Sequence, residues 1–164
     1  VTNERFLSFV EAVRRRHQKR FYTASLVGAL IALLLYQTEW LYLRFGLVVL
    51  LVGQAGNVLA LLVRNYQLAR DVKQKNSGIV NWFEREEFFV TYLAIFDSAC
   101  QMVGFLGLGY AFWISTRNAW IALAIGVVYP ATVYLGITRR RHVGETSELR
   151  AKKQELQSPG GFRS

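Results

Sequence analysis

"FFVTYLAIFDSACQMVGFLGLGYAFWIS", Phe88 to Ser115, carries a single charged residue, Asp97. The hydrocarbon core of a bilayer is about 30 Å thick, and roughly 20 helical residues cross it. This run is longer than that. In lipid no water satisfies an open backbone, so a run of this kind must be helical. Three further stretches have the same character and no charge at all: Phe21–Thr38, Phe45–Val63 and Asn118–Thr138. Their spacing predicts four transmembrane helices, over 21–38, 45–63, 88–114 and 119–138.

Between these runs the chain is strongly basic. Its 20 Lys and Arg outnumber its 11 Asp and Glu, for a net charge of +9. The cations are segregated. Six lie in the segment 1–20, five in the middle loop 64–87 and seven in the tail 139–164. The other two connections hold one each, Arg44 and Arg117. Lys and Arg collect on the cytoplasmic side of a membrane protein. Both termini and the middle loop are therefore expected inside, with 18 cations there against 2 outside. Trp40, Tyr42, Trp113 and Trp120 fall at the expected outer boundary, and Tyr22, Tyr66, Trp82 and Tyr134 near the inner one. Amphipathic rings favour those interfaces. The outer connections are short, which makes neighbouring helices antiparallel. The expected fold is an all-α integral membrane protein of four transmembrane helices, arranged as two antiparallel hairpins, N-in and C-in, in a plasma (inner) membrane. The run at 21–38 ends in "YQTEWLYLR" without a small-residue cleavage pattern, so it is expected to be a retained helix.

The segments outside the apolar runs have their own patterns. Phe6, Phe9, Val10 and Val13 share one helical face, so 1–20 is expected to form a short amphipathic helix on the membrane surface, capped by Thr2 or Asn3. Arg14, Arg15, Arg16, Lys19 and Arg20, with Arg139, Arg140 and Arg141, are the candidate contacts to anionic lipid headgroups. The second helix is expected to run on to about Lys75, where Asn76-Ser77-Gly78 breaks it. Ile79, Val80, Trp82 and Phe83 then lie along the surface. Glu84, Glu86 and Glu87 fit a solvated helix start matched to the dipole. After the last span, "ETSELRAKKQEL" suits a separate charged helix capped by Thr146 or Ser147, and "SPGGFRS" a disordered end.

Chemistry is sparse. His17 and His142 lie outside the apolar runs, and Cys100 is the one thiol. No ligand spacing for zinc, haem or a carboxylate-bridged metal appears, nor an acyl-transfer triad or a phosphate-binding glycine loop. No metal, cofactor or catalytic residue is read, no nucleic-acid module is recognised, and no enzyme is expected. What remains is a polar layer inside the bilayer. At about 1.5 Å per residue, Asp97 and Gln54 each lie roughly 14 Å from their helix starts, near midplane. Asn57 shares a face with Gln54, Gln101 shares one with Asp97, and Tyr129 reaches the same depth beside Pro130, which removes a backbone donor and should kink the last helix. Asp97 is expected either neutral, donating to Gln54 or Asn57, or facing an aqueous path. Small residues form seams for close packing: Gly46, Gly53, Gly56 and Ala60; Gly104, Gly107 and Gly109; Ala24, Gly28 and Ala32.

Two functions follow from this reading. One is a non-catalytic subunit, scaffold or assembly factor of a membrane complex. The other is a homo-oligomeric ion channel or pore with the Asp97, Gln54 and Asn57 layer along its path. The expected partners are the lipid bilayer with anionic headgroups, and further copies of the chain or other membrane subunits.

Overall fold

The computed structural model describes residues 2–74 and 79–157. The readings of Lys75 to Gly78 as a helix break and of the last seven residues as disordered lie outside those residues. Helix α1 spans Thr2–Gln37, α2 Leu41–Gln74, α3 Ile79–Thr116 and α4 Ala119–Gln157. All four are long and apolar enough to cross a membrane. Each spans about 50 Å or more at 1.5 Å per residue, well beyond a bilayer core of about 30 Å.

That excess length is where structure and expectation differ. The segment 2–20 is not a separate helix on a surface; it is the first half of α1. Its apolar face has a protein partner. Phe6, Val10 and Val13 are buried with Leu68 of α2, Trp82 and Phe83 of α3, and Leu149 and Leu156 of α4. The Phe6 and Trp82 rings meet edge to face with centroids 5.4 Å apart. Trp82 and Phe83 therefore lie in a core rather than on a surface, and Trp82 does not belong to an aromatic belt. Tyr22, Tyr66 and Tyr134 are exposed, as are Trp40, Tyr42, Trp113 and Trp120. The C-terminal charged segment likewise continues α4, with Thr146 and Ser147 donating back to the carbonyls of His142 and Gly144 rather than capping a helix start. We call the end of the molecule that holds this core the terminal end.

Packing follows chain order: α1 against α2, α2 against α3, α3 against α4. Glycines set the closest approaches. A Cβ on Gly46 would fall 2.8 Å from the Gly104 carbonyl, and one on Gly109 would fall 2.8 Å from the Gly126 Cα. Small residues allow such contact, and lipid supplies no hydrophobic drive to replace it. Two short connections close the other end. Arg117 takes a positive φ of 55°, and Asn118 accepts from the Trp120 and Ile121 amides to start α4. Within α4, π-helical turns over Ala124–Val128 and Tyr134–Thr138 flank Pro130. The Tyr129 amide bonds five residues back to Ala124. The wider turn loosens the helix where the Pro130 ring would crowd the Gly126 carbonyl, so α4 passes Pro130 without ending.

Candidate functional site

Two polar layers cross the helix interfaces. The first sits at the terminal end around Glu86, two residues before the apolar run of α3 opens. Glu86 is 1 % exposed, as is His17 of α1, and Arg64 of α2 is 3 % exposed. His17 Nε2 lies 2.5 Å from Glu86 Oε1. Arg64 donates through Nε and Nη2 to Glu86 Oε2 at 2.8 and 2.7 Å. Burial pushes the Glu86 carboxyl up, but the His17 hydrogen bond and the charges of His17 and Arg64 outweigh it and hold it below the usual carboxylate range. Glu86 is therefore a buried acceptor joining three helices, not a solvated helix start. Its neighbours do face outward and pair with α4: Glu87 accepts from Arg150 at 2.5 Å and Glu84 from Lys153 at 3.2 Å.

A signal for this layer was present in the sequence. His17 continues the stripe Phe6, Val10, Val13 at the same i+3 and i+4 spacing. Arg64 sits between Leu61 and Leu68 on a stripe that begins at Gly46, and Glu86 between Phe83 and Val90. A polar residue in a buried stripe requires partners.

The second layer is the intramembrane one, about 16 Å further along α3 by helical rise. Asn57 Nδ2 donates to Asp97 Oδ1 at 2.8 Å, and Gln101 Nε2 donates to Asp97 Oδ2 at 2.9 Å. The carboxyl thus stands as an acceptor on both oxygens rather than as a donor to Gln54 or Asn57, and it lines a cleft. Gln54 lies in the same cleft but makes no hydrogen bond among the described residues. Tyr129 is not brought to this layer. It is half exposed, and its ring packs on Phe105 at 4.7 Å. Cys100 packs against Gly53 of α2.

A cleft of about 460 Å³ runs from the second layer toward the terminal end, without reaching His17, Arg64 or Glu86. Gln54, Asn57, Asp97 and Gln101 line its deep part, and Ala24, Val27, Leu61 and Leu93 its walls. Arg16, Lys19 and Arg20 of α1 and Arg141, His142 and Glu145 of α4 line it at the terminal end. There α1 and α4 are tied by Arg16 to Glu148, at 2.9 and 3.1 Å, and by Arg20 to Glu145. Burial first, then the like charges of Arg141 and Arg16, push the Arg20 guanidinium down to about 10. Of the other basic candidates, Arg14 and Arg15 pair with Glu11 on their own helix, and Arg139 and Arg140 are exposed outside the cleft.

Compared with known proteins, the chain matches no family model, no curated protein and no solved structure.

Proposed function

We propose that this chain is a non-catalytic integral membrane protein, a subunit, scaffold or assembly factor of a membrane complex. In this reading its two antiparallel hairpins span a plasma (inner) membrane, with both termini cytoplasmic. One observation carries it: the carboxylates at the centres of the two polar layers have each oxygen taken by a side chain, Glu86 by His17 and Arg64, Asp97 by Asn57 and Gln101. Groups so engaged hold helices in register and are not poised to react. The apolar surface supports association as well. None of the most apolar window of α1 is buried inside the chain, which leaves that face to lipid or to another membrane helix. Native mass spectrometry from mild detergent tests this. A defined hetero-complex is the expected species, and a chain recovered only alone or as a homo-oligomer counts against it.

A second reading has one observation in its favour. The cleft reaches Asp97, as a homo-oligomeric channel would require. Its basic end, with Arg16, Lys19, Arg20 and Arg141, opposes cation entry, which makes this the weaker reading. Reconstituted protein would have to conduct, and Asp97→Asn would have to alter selectivity.

A further inference from the structure

We propose that the cleft flanked by α1 and α4 is a binding site for an anionic phospholipid, its phosphate held between Lys19 and Arg141. The inference rests on the membrane reading above but not on assembly with other subunits, so a chain that runs alone still tests it.

The charge balance points to an anion. Four cations converge on one end of the cleft, from two helices far apart in sequence. Arg16 and Arg20 have carboxylate partners across the gap. Lys19 and Arg141 have none within ion-pair distance among the described residues. The lowered Arg20 pKa reports the same crowding: its largest cause is burial, and the next two are the like charges of Arg141 and Arg16. Arg16 and Arg20 are half-buried, whereas Lys19 and Arg141 are exposed at the mouth of the cleft; like charges so gathered repel, and an anion between them relieves the cost. His142 adds a ring nitrogen, Nδ1, that is buried there without a protein partner. A phosphate offers several acceptor oxygens to donors arriving from separate helices, which suits this arrangement better than a single carboxylate does.

The rest of the cleft identifies the anion as a lipid. Past the cations the walls become apolar, with Ala24 and Val27 of α1 facing Leu61 and Leu93. Beyond them Gln54, Asn57, Asp97 and Gln101 close the deep end, at the depth of the acyl chains. The change from basic to apolar occurs where the uncharged run of α1 begins at Phe21, the level at which headgroups give way to chains. A volume of about 460 Å³ lies within the ~300–1,000 Å³ of small-molecule sites. It holds a headgroup and glycerol ester region but not two acyl chains. The chains leave along the unburied apolar face of α1.

Native mass spectrometry of delipidated protein in mild detergent, titrated with phosphatidylglycerol, phosphatidylcholine or inorganic phosphate, decides the matter. Wild-type protein is expected to bind one phosphatidylglycerol at least about tenfold more tightly than phosphatidylcholine, with no retention of inorganic phosphate. The double variant Lys19→Gln/Arg141→Gln is expected to lose about tenfold or more in that affinity. Arg139→Gln/Arg140→Gln removes the same charge outside the cleft and should change it by less than about twofold. Equal affinity for the two lipids overturns the proposal on wild-type protein, whatever the variants do. Equal loss in both double variants reduces the site to general surface charge, and retention of free phosphate in preference to the lipid assigns it to a soluble anion.

Discussion

Glu86 is the residue whose environment departs furthest from its neighbours in the sequence. Removing one partner of a buried, hydrogen-bonded ion pair costs about 3–5 kcal/mol, because the other charge stays buried alone. Glu86→Ala strands Arg64 and His17 and is expected to lose that much, read as a lowered thermal midpoint in detergent. The paired replacement Arg64→Met/Glu86→Leu should cost less than Glu86→Ala, since the buried guanidinium leaves together with its carboxylate and only His17 loses a partner. The pH dependence follows from the direction of the shift. The folded-state pKa of Glu86 lies below its ordinary value of 4.5, so its contribution is complete above that value and fades as pH falls through the lower, folded one. Wild type and Glu86→Gln should therefore converge in stability in acid and separate as pH rises; a constant gap across that range would remove the carboxylate from the explanation. Asp97 is a milder case. Asp97→Asn keeps one acceptor and forfeits one of two amide hydrogen bonds, for a loss of about 1 kcal/mol in the same unfolding measurement.

Among the helices, the contact between α3 and α4 is the most exacting. A Cβ at position 109 would meet the Ala122 carbonyl at 2.7 Å and the Gly126 Cα at 2.8 Å, and backbone cannot swing aside as a side chain can. Gly109→Ala must part the helices and is expected to destabilise by about 1–3 kcal/mol. Gly144 is the control. Nothing lies within 4 Å of its missing Cβ, so Gly144→Ala should stabilise α4 by up to about 1 kcal/mol through helix propensity alone. Thermal melts of the two variants should move in opposite directions. The seam at this level was legible in the sequence. Gly46, Gly53, Gly104 and Gly109 all lie where another helix comes close. Gly28 is looser, with the Gln54 Cβ at 3.5 Å, an ordinary contact. The amphipathic face Phe6, Val10 and Val13 was legible too, but not its destination. Periodicity shows that a face is apolar; it does not distinguish lipid from protein as the surface that covers it.

For the whole molecule, the excess of Lys and Arg in both terminal segments and the middle segment predicts its orientation in the membrane. In the proposed orientation, with Glu39 and Arg117 outside and Ser147 inside, Glu39→Cys should react with a membrane-impermeant thiol reagent on intact cells. Ser147→Cys should react only after permeabilisation, and labelling in the reverse order would turn the topology over. The four apolar runs were readable without any tertiary information, and each coincides, but for Thr38 and Asn118 at the run ends, with part of a helix long and apolar enough to cross a membrane. That legibility has a local cause: each run meets the demands of lipid by itself, closing its backbone hydrogen bonds within the segment. The terminal-end core, the His17–Glu86–Arg64 layer and the cleft have no such local cause. They join residues 69 and 132 positions apart, as in His17 with Glu86 and Arg16 with Glu148. Such pairs exist only because four helices continue beyond the apolar runs and bring separate stripes to the same height. Hydropathy along the chain determined that this protein has four helices fit for a membrane. Their length and register in three dimensions decided which of its polar residues meet, since a buried charge is stabilised by the partner that packing sets beside it and not by its neighbours in sequence.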